Sequence, residues 1–394
     1  MKLHRAMRRT EAGWCRLVGE IERGAGSRFE VTFSFHEADA TLVADTADAF
    51  VPALLLPAMA AGEPLEIVPP VSPLLLRRLP QLQAIFSSWF PRYRIVPVCA
   101  QPRAESASPR APGVGAFFSG GVDSFYTLRK SLLGETQEAP AVTHLLFFHG
   151  LETTLAARRG GEASEARVRA VARDTGLACV AGTTDLRTHF PLPWGEYCGA
   201  GLAAAAHALS AGLGSVLIPS TDSYGDAIPW GSHPLVDERW STERTPVLCD
   251  GAEATRARKI ERLVAYDPLA RRNLRVCIEN EGGDFNCGRC HKCVRTMIAL
   301  CALDVLGEFE TFPGALPANL GPALADDDTI LLEQNLDLLG RTGRAPMLAA
   351  AILRVLRGRR RRLALRTLLE NSLAAPLLPT LRALRARLGQ RRGA

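Results

Sequence analysis

Residues 116–128 read AFFSGGVDSFYTL. Three apolar residues run into Ser119-Gly120-Gly121, then Val122-Asp123-Ser124, then a segment with helical spacing. Glycines let a backbone turn tightly and approach a ligand closely. Amides left free at a helix N-terminus, together with the helix dipole, attract anions. Ser119 and Ser124 add hydroxyl donors. Asp123 would repel a bare phosphate, but it suits a site where Mg²⁺ lies between the carboxylate and the phosphate oxygens. The loop therefore fits a magnesium polyphosphate. It is neither a Walker A loop nor a G-x-G-x-x-G turn.

A second constellation lies downstream. Of the ten cysteines, Cys15, Cys99, Cys179, Cys198, Cys249 and Cys301 are scattered, whereas Cys277, Cys287, Cys290 and Cys293 crowd together as C-x9-C-x2-C-x2-C. Two overlapping C-x2-C turns can aim three thiolates at one centre, and the upstream cysteine closes a tetrahedron. Four soft thiolates with no open position describe structural Zn²⁺, with an iron–sulfur cluster as the alternative. Gly288 relieves the turn, and Arg289 and Lys292 are expected to offset thiolate charge. A chain of this size has no need of disulfide staples, so clustered cysteines point to a metal in a reducing compartment, the cytoplasm.

Ser119-Gly120-Gly121-Val122-Asp123-Ser124 resembles the pyrophosphate loop, S-G-G-x-D-S, of the N-type ATP pyrophosphatases, the PP-loop superfamily. With the cysteine cluster added, the chain resembles the cyano-deazaguanine synthase branch of that superfamily. Its metal motif, C-x8-C-G-x-C-x2-C, differs here by one extra residue in the first spacer. The resemblance implies a Rossmann-like three-layer core with a parallel sheet. It also implies cleavage of ATP between the α- and β-phosphates, transfer of AMP to a carboxyl or carbonyl oxygen of a small-molecule acid, and delivery of nitrogen from a donor such as ammonia. ATP, Mg²⁺ and Zn²⁺ would be the cofactors. Residues 119–124 would hold the pyrophosphate, with Asp123, Ser119 and Lys259 in catalytic roles and Asp123 on Mg²⁺. Phe148 and His149 would line the adenine pocket, and Arg256 or Lys259 would neutralise the triphosphate. This chain departs from the branch in its long segments before and after the core. It also reads PheHisGlyLeuGlu at 148–152, where the branch has Tyr-Gly-Gln-x-His. Two other functions stay open: a tRNA-modifying enzyme of the same superfamily, and a non-catalytic nucleotide-binding module, against which the intact Asp123 argues.

Elements must position these groups. FEVTFSF (29–35) alternates like a strand, with TLVAD (41–45) as its expected partner, LEIV (65–68) as a short strand, 73–90 as a helix broken by Pro80, and RYRIVPV (92–98) as a further strand. Residues 1–100 thus read as an α+β accessory domain, and the Pro-, Ser- and Gly-rich stretch 101–115 as a linker. From 116 to 276 strands and helices alternate: 116–118, 143–150, 178–186 and 215–223 as strands, with helices after 121 and over 161–176 and 197–212. That alternation predicts a parallel sheet whose ligands bind at the carboxyl ends of the strands. The Ser-Thr-Asp-Ser run at 220–223 then makes Ser220 and Asp222 candidates, and SHPLVDERW (232–240) a candidate substrate loop. Residues 277–300 form the zinc knuckle and 301–394 a helical region.

The chain has 394 residues, 47% of them hydrophobic, with a net charge of +6. The first residues lack a secretory leader pattern. The uncharged run Tyr197 to Thr221 has the length of a membrane span, but its Ala and Gly content, His207 and Pro219 make it a buried helix followed by a strand. Positive charge is concentrated at the end, where twelve arginines follow from Arg354 against the single acid Glu370. Such a tail can touch nucleic acid phosphates or anionic lipid, but a solvated terminal helix in an Arg-rich chain is the favoured reading.

Overall fold

The computed structural model describes residues 1–370 apart from 25, 105–108, 137–139, 153–154, 156–160, 278 and 280–284. The chain opens with β1 (Lys2–Glu11), β2 (Trp14–Arg23) and β3 (Ser27–His36), paired antiparallel. Ala12 and Gly13, at φ 51° and 79°, make the two-residue turn between the first two, a turn whose twist suits a hairpin. Next come α1 (Phe50–Ala61), β4 (Leu65–Val71), α2 (Pro73–Trp89) and β5 (Val98–Pro102).

Strands and helices then alternate: β6 (Gly113–Phe117), α3 (Val122–Leu132), β7 (His144–His149), α4 (Gly161–Thr175), β8 (Ala178–Thr184), α5 (Leu186–His189), α6 (Trp194–Ala208), β9 (Leu213–Pro219), α7 (Pro234–Asp237) and β10 (Val247–Asp250). Helices close the described chain: α8 (Arg256–Arg262), α9 (Pro268–Asn273), α10 (His291–Ala302), α11 (Gly321–Asp326), α12 (Thr329–Thr342) and α13 (Pro346–Glu370).

The ten strands form one mixed, mostly parallel sheet in the order β10-β9-β6-β7-β8-β3-β2-β1-β4-β5. β6 to β10 are mutually parallel. The N-terminal strands continue the same sheet, because β3 pairs antiparallel with β8 through Phe33↔Thr184 and Phe35↔Gly182. Side chains alternate across the sheet and feed two cores. Phe117, Leu146, Val180 and Val216 join α1, α2 and α6 on one face. Ala116, Leu145, Phe147 and Leu217 join α3, α4 and α8 to α13 on the other. β6, buried throughout, is covered on both sides, as central parallel strands are.

Several sequence expectations need correction. TLVAD is not a strand: residues Glu37–Leu42 form a 3-10 turn, and β2 is the partner of β3 on that side. Pro80 does not break its helix, since α2 runs unbroken through it. RYRIVPV is not a strand either, because pairing starts only at Val98. The stretch 101–115 begins inside β5 and ends inside β6. β1, β2 and α1 were not anticipated. The uncharged run from Tyr197 divides into most of α6 and then β9, and no described helix is long and apolar enough to cross a membrane. The expected zone of tail contacts after residue 370 lies outside the described residues.

Candidate functional site

In the parallel half of the sheet the strands after β6 run outward through β7 and β8, and the chain then returns to place β9 on the other side of β6. The crevice between β6 and β9 is therefore a topological switch point, where ligands of open α/β sheets bind. The 119–124 loop leaves β6 there. Gly120 sits at φ +78°, a conformation that favours glycine. Its carbonyl accepts from the Arg275 amide at 2.8 Å, so the chain after α9 runs past the turn. Gly121 is the N-cap of α3 and offers no side-chain acceptor, which leaves the first-turn amides directed at the crevice. Ser119 is exposed. The Ser124 hydroxyl instead donates to the Gly121 carbonyl at 3.0 Å.

Asp123, 15% exposed, accepts from Arg256 Nη1 at 2.5 Å and from Lys259 Nζ at 3.3 Å. Burial pushes the Asp123 carboxyl up, but the Arg256 and Lys259 charges outweigh it and hold the group below its ordinary value. The side chain of Lys259 is fully buried, and its ammonium also donates to the Ser220 carbonyl. One lysine thus ties the start of α3 to the end of β9. The Asp222 carboxyl is pushed up, first by burial and then by the charge of Asp123. Asp123, Lys259, Ser220 and Asp222 accordingly share one site, with Arg256 beside them.

A polar network fixes the base of the site. Lys130 Nζ reaches Asp250 Oδ1 at 2.9 Å and Glu253 Oε1 at 2.7 Å, and Thr127 Oγ1 donates to Asp250 Oδ2 at 2.6 Å. These contacts lock α3 to β10 and to the turn before α8. α8 then buries Arg256 and Lys259 toward the crevice. Its opposite face carries Arg258, Glu261 and Arg262, which line an open groove of about 530 Å³ with Tyr224 and Glu253. The groove and the loop lie on different sides of this helix.

The adenine-pocket candidates are spread over two faces. Phe148 packs edge-on against Phe35 at 5.7 Å, within the α1/α6 core. His149 lies on the other face, buried, with Nε2 2.8 Å from Glu165 of α4. The 232–240 stretch is not an open loop: Val236, Asp237 and Trp240 are fully buried, and Leu235 and Glu238 are its exposed residues.

The four clustered cysteines converge, their sulfur atoms all within 4.8 Å of one another. A single tetrahedral ion with metal–sulfur bonds of about 2.3 Å needs sulfurs roughly 3.8 Å apart. Cys287 Sγ and Cys293 Sγ are 3.9 Å apart, and the Cys290 amide donates to Cys287 Sγ at 3.3 Å. The donor set fits one metal ion. A four-iron cluster would place each thiolate on a different iron and spread them further. Gly288 is required twice over, by its φ of +69° and by Pro313 Cγ, 2.6 Å from where a Cβ would sit.

No protein-family model, curated protein or solved structure matches the chain.

The chemistry of the site must therefore be read from its own groups, and two of these lie beyond the sequence reading: Arg275 has no role there, and Lys292 is placed only beside the thiolates. Arg275 follows α9 and Lys292 lies in the first turn of α10, between two of the clustered cysteines. The charge neighbours of Lys292 include Glu152, Arg256, Arg295 and Asp123. Arg275 is the cation that senses Cys277 and Cys293, again with Glu152 as its first charge neighbour. The one available signal was the position of Lys292 inside the cysteine motif, and position alone does not reveal which way the side chain faces. The scattered thiols are poor nucleophiles where burial acts on them: Cys179 is pushed up to about 11 and Cys198 to about 12.

Proposed function

We propose that the chain is an ATP-dependent ligase of the PP-loop type. It would adenylate a carboxyl or carbonyl oxygen of a small-molecule acid with release of pyrophosphate, and then join nitrogen to the activated carbon as the bond to AMP breaks and AMP leaves. The observation that carries this reading is the placement of Ser119-Gly120-Gly121-Val122-Asp123-Ser124 at the switch point between β6 and β9, with the buried Lys259 joining Asp123 to Ser220.

Amides of the glycine turn and of the first turn of α3 would hold the β- and γ-phosphates. Asp123 would ligate Mg²⁺, which when bound neutralises charge on the phosphates. In the ligand-free arrangement Asp123 keeps Arg256 and Lys259 in place. Anionic phosphate oxygens would compete for those two cations and so gain preorganised stabilisation as the bond to AMP breaks. Ser220 and Asp222, at the end of β9, would face the AMP half and the acceptor. Lys259 acts electrostatically here, because its ammonium is buried between an aspartate and a carbonyl.

The four-cysteine centre fits zinc in a structural role, with all four positions filled by thiolates. Reduced thiols of this kind belong to a reducing compartment such as the cytoplasm.

The test is ATP–pyrophosphate exchange with a panel of small carboxylic acids and ammonia. The wild-type chain should exchange label with at least one acid. Asp123→Asn should retain the fold and lose exchange by about a thousandfold, a loss of the size seen when one preorganised electrostatic contact is removed. Undiminished exchange in that variant would refute the assignment of the loop.

A further inference from the structure

Arg275 and Lys292 are half-buried cations whose side chains have no hydrogen-bond or ion-pair partner among the described residues. Burying an unpaired charge is unfavourable. Nearby cations behave differently. Arg256 and Lys259 share Asp123, Lys130 has Asp250 and Glu253, and Arg295 has Asp327 at 2.5 Å. Among the described residues the other buried cations here are paired and these two are not, an arrangement suited to an anion that arrives from outside.

Their location says which anion. Arg275 is held to the glycine turn by its own backbone, through the 2.8 Å bond to the Gly120 carbonyl. Its Cβ is 3.8 Å from the position a Gly120 side chain would take. Lys292, in the first turn of α10, lies within electrostatic reach of the same crevice, with Arg256 and Asp123 among its charge neighbours. Both residues are close to cluster cysteines in sequence: Arg275 lies just before Cys277, and Lys292 lies between Cys290 and Cys293. Closing four thiolates on one ion fixes the chain just after Arg275 and on both sides of Lys292.

We propose that Arg275 and Lys292 form a second anion-binding rim over the glycine loop, taking the outer phosphate of pyrophosphate, and that the ion in the four-cysteine centre sets the strength of this rim by positioning both side chains. The inference rests on the pyrophosphate-loop reading and adds two ligand-binding residues and a coupling to it. The metal centre is then a determinant of phosphate affinity as well as a staple of the fold.

Calorimetric titration of the metal-loaded full chain with inorganic pyrophosphate and Mg²⁺ tests it. Arg275→Ala and Lys292→Ala should each weaken binding by about 10- to 100-fold, the effect of losing one charge-assisted contact. Lys292→Arg should restore most of the affinity, and metal content and melting temperature should stay at wild-type values in all three variants. Stripping the metal with a chelator should weaken binding by the wild-type chain and add little to the defect of an Arg275→Ala/Lys292→Ala double variant, because both act on the same contacts. Wild-type affinity in both alanine variants would overturn the rim. Additive losses from chelation and double substitution would overturn the coupling. Failure of the wild-type chain itself to bind pyrophosphate would instead count against the loop reading.

Discussion

The ammonium of Lys259, on a side chain with no exposed surface, lies 3.3 Å from Asp123 Oδ1. The two residues are far apart in sequence and meet because α8 packs against α3 across the end of β9. The pair closes a small circuit, since Lys259 also donates to the Ser220 carbonyl and Arg256 takes the other oxygen of Asp123. A buried ion pair of this kind contributes little net stability, but breaking it is costly because a charge is left behind in a poor solvent.

Lys259→Met tests that asymmetry. Methionine keeps the volume and removes the charge, leaving Asp123 with Arg256 alone. Unfolding by urea should show a loss of about 3 kcal/mol, and ATP–pyrophosphate exchange should fall below detection. A variant as stable as wild type would mean that water or a rotated Arg256 already screens the carboxylate.

Asp237 carries a pH signature of opposite sign to an ordinary paired carboxylate. It is fully buried, Oδ1 has no hydrogen-bond partner among the described residues, and Oδ2 accepts from the Ser232 hydroxyl at 2.8 Å. Burial pushes its carboxyl up to about 7. The unfolded chain loses this proton near pH 4, whereas the folded chain keeps it until about pH 7, so stability falls as pH rises through that window. The full effect is about 4 kcal/mol. Asp237→Asn should remove it: the variant-minus-wild-type difference in urea midpoint should grow between pH 4.5 and pH 7.5. A difference that does not change with pH would show that the group is ionised in the folded chain.

Gly288→Ala strains the turn between Cys287 and Cys290. The φ of +69° disfavours any side chain, and the new Cβ would press on Pro313 Cγ at 2.6 Å. A left-handed alanine and an overpacked contact together cost about 2–4 kcal/mol. A lower melting temperature and faster loss of metal to a competing chelator are expected. If both stay unchanged, the turn must relax without disturbing the thiolates.

What the sequence made legible follows from where the chemistry is written. The glycine loop and the cysteine cluster are contiguous, so residue type and spacing suffice to find them. β6, β7 and β9 are short apolar runs between loops, the pattern of strands buried on both faces. β1 escaped because its charged residues, Arg5, Arg8 and Arg9 among them, break any alternation, and much of the strand is exposed. α1 escaped because Pro52 and Pro57 sit in a segment that is apolar on every side, and it is buried from Phe50 through Met59. Pro80 misled in the same way: α2 packs firmly enough through Leu75, Leu79, Leu82 and Phe86 to carry a missing backbone donor. The orientation of Lys292 depends on how α10 meets the crevice, a tertiary relationship with no local trace.

The four-cysteine centre permits a count. One tetrahedral ion is the geometry that the 3.9 Å approach of Cys287 and Cys293 supports, and thiolates at all four positions leave no site for water or substrate. Elemental analysis of chain prepared without chelator should give one zinc per molecule and a solution without visible absorbance. Cys287→Ser should bring zinc below stoichiometry, and because Cys287 is the least buried of the four, that variant should fold well enough to be measured. Cys293 is fully buried in the α10 core, so Cys293→Ser should cost both metal and stability. Iron with an absorbance that disappears in the Cys287→Ser variant would replace zinc with an iron site, while zinc retained by both variants would show that the thiolates do not act as one centre.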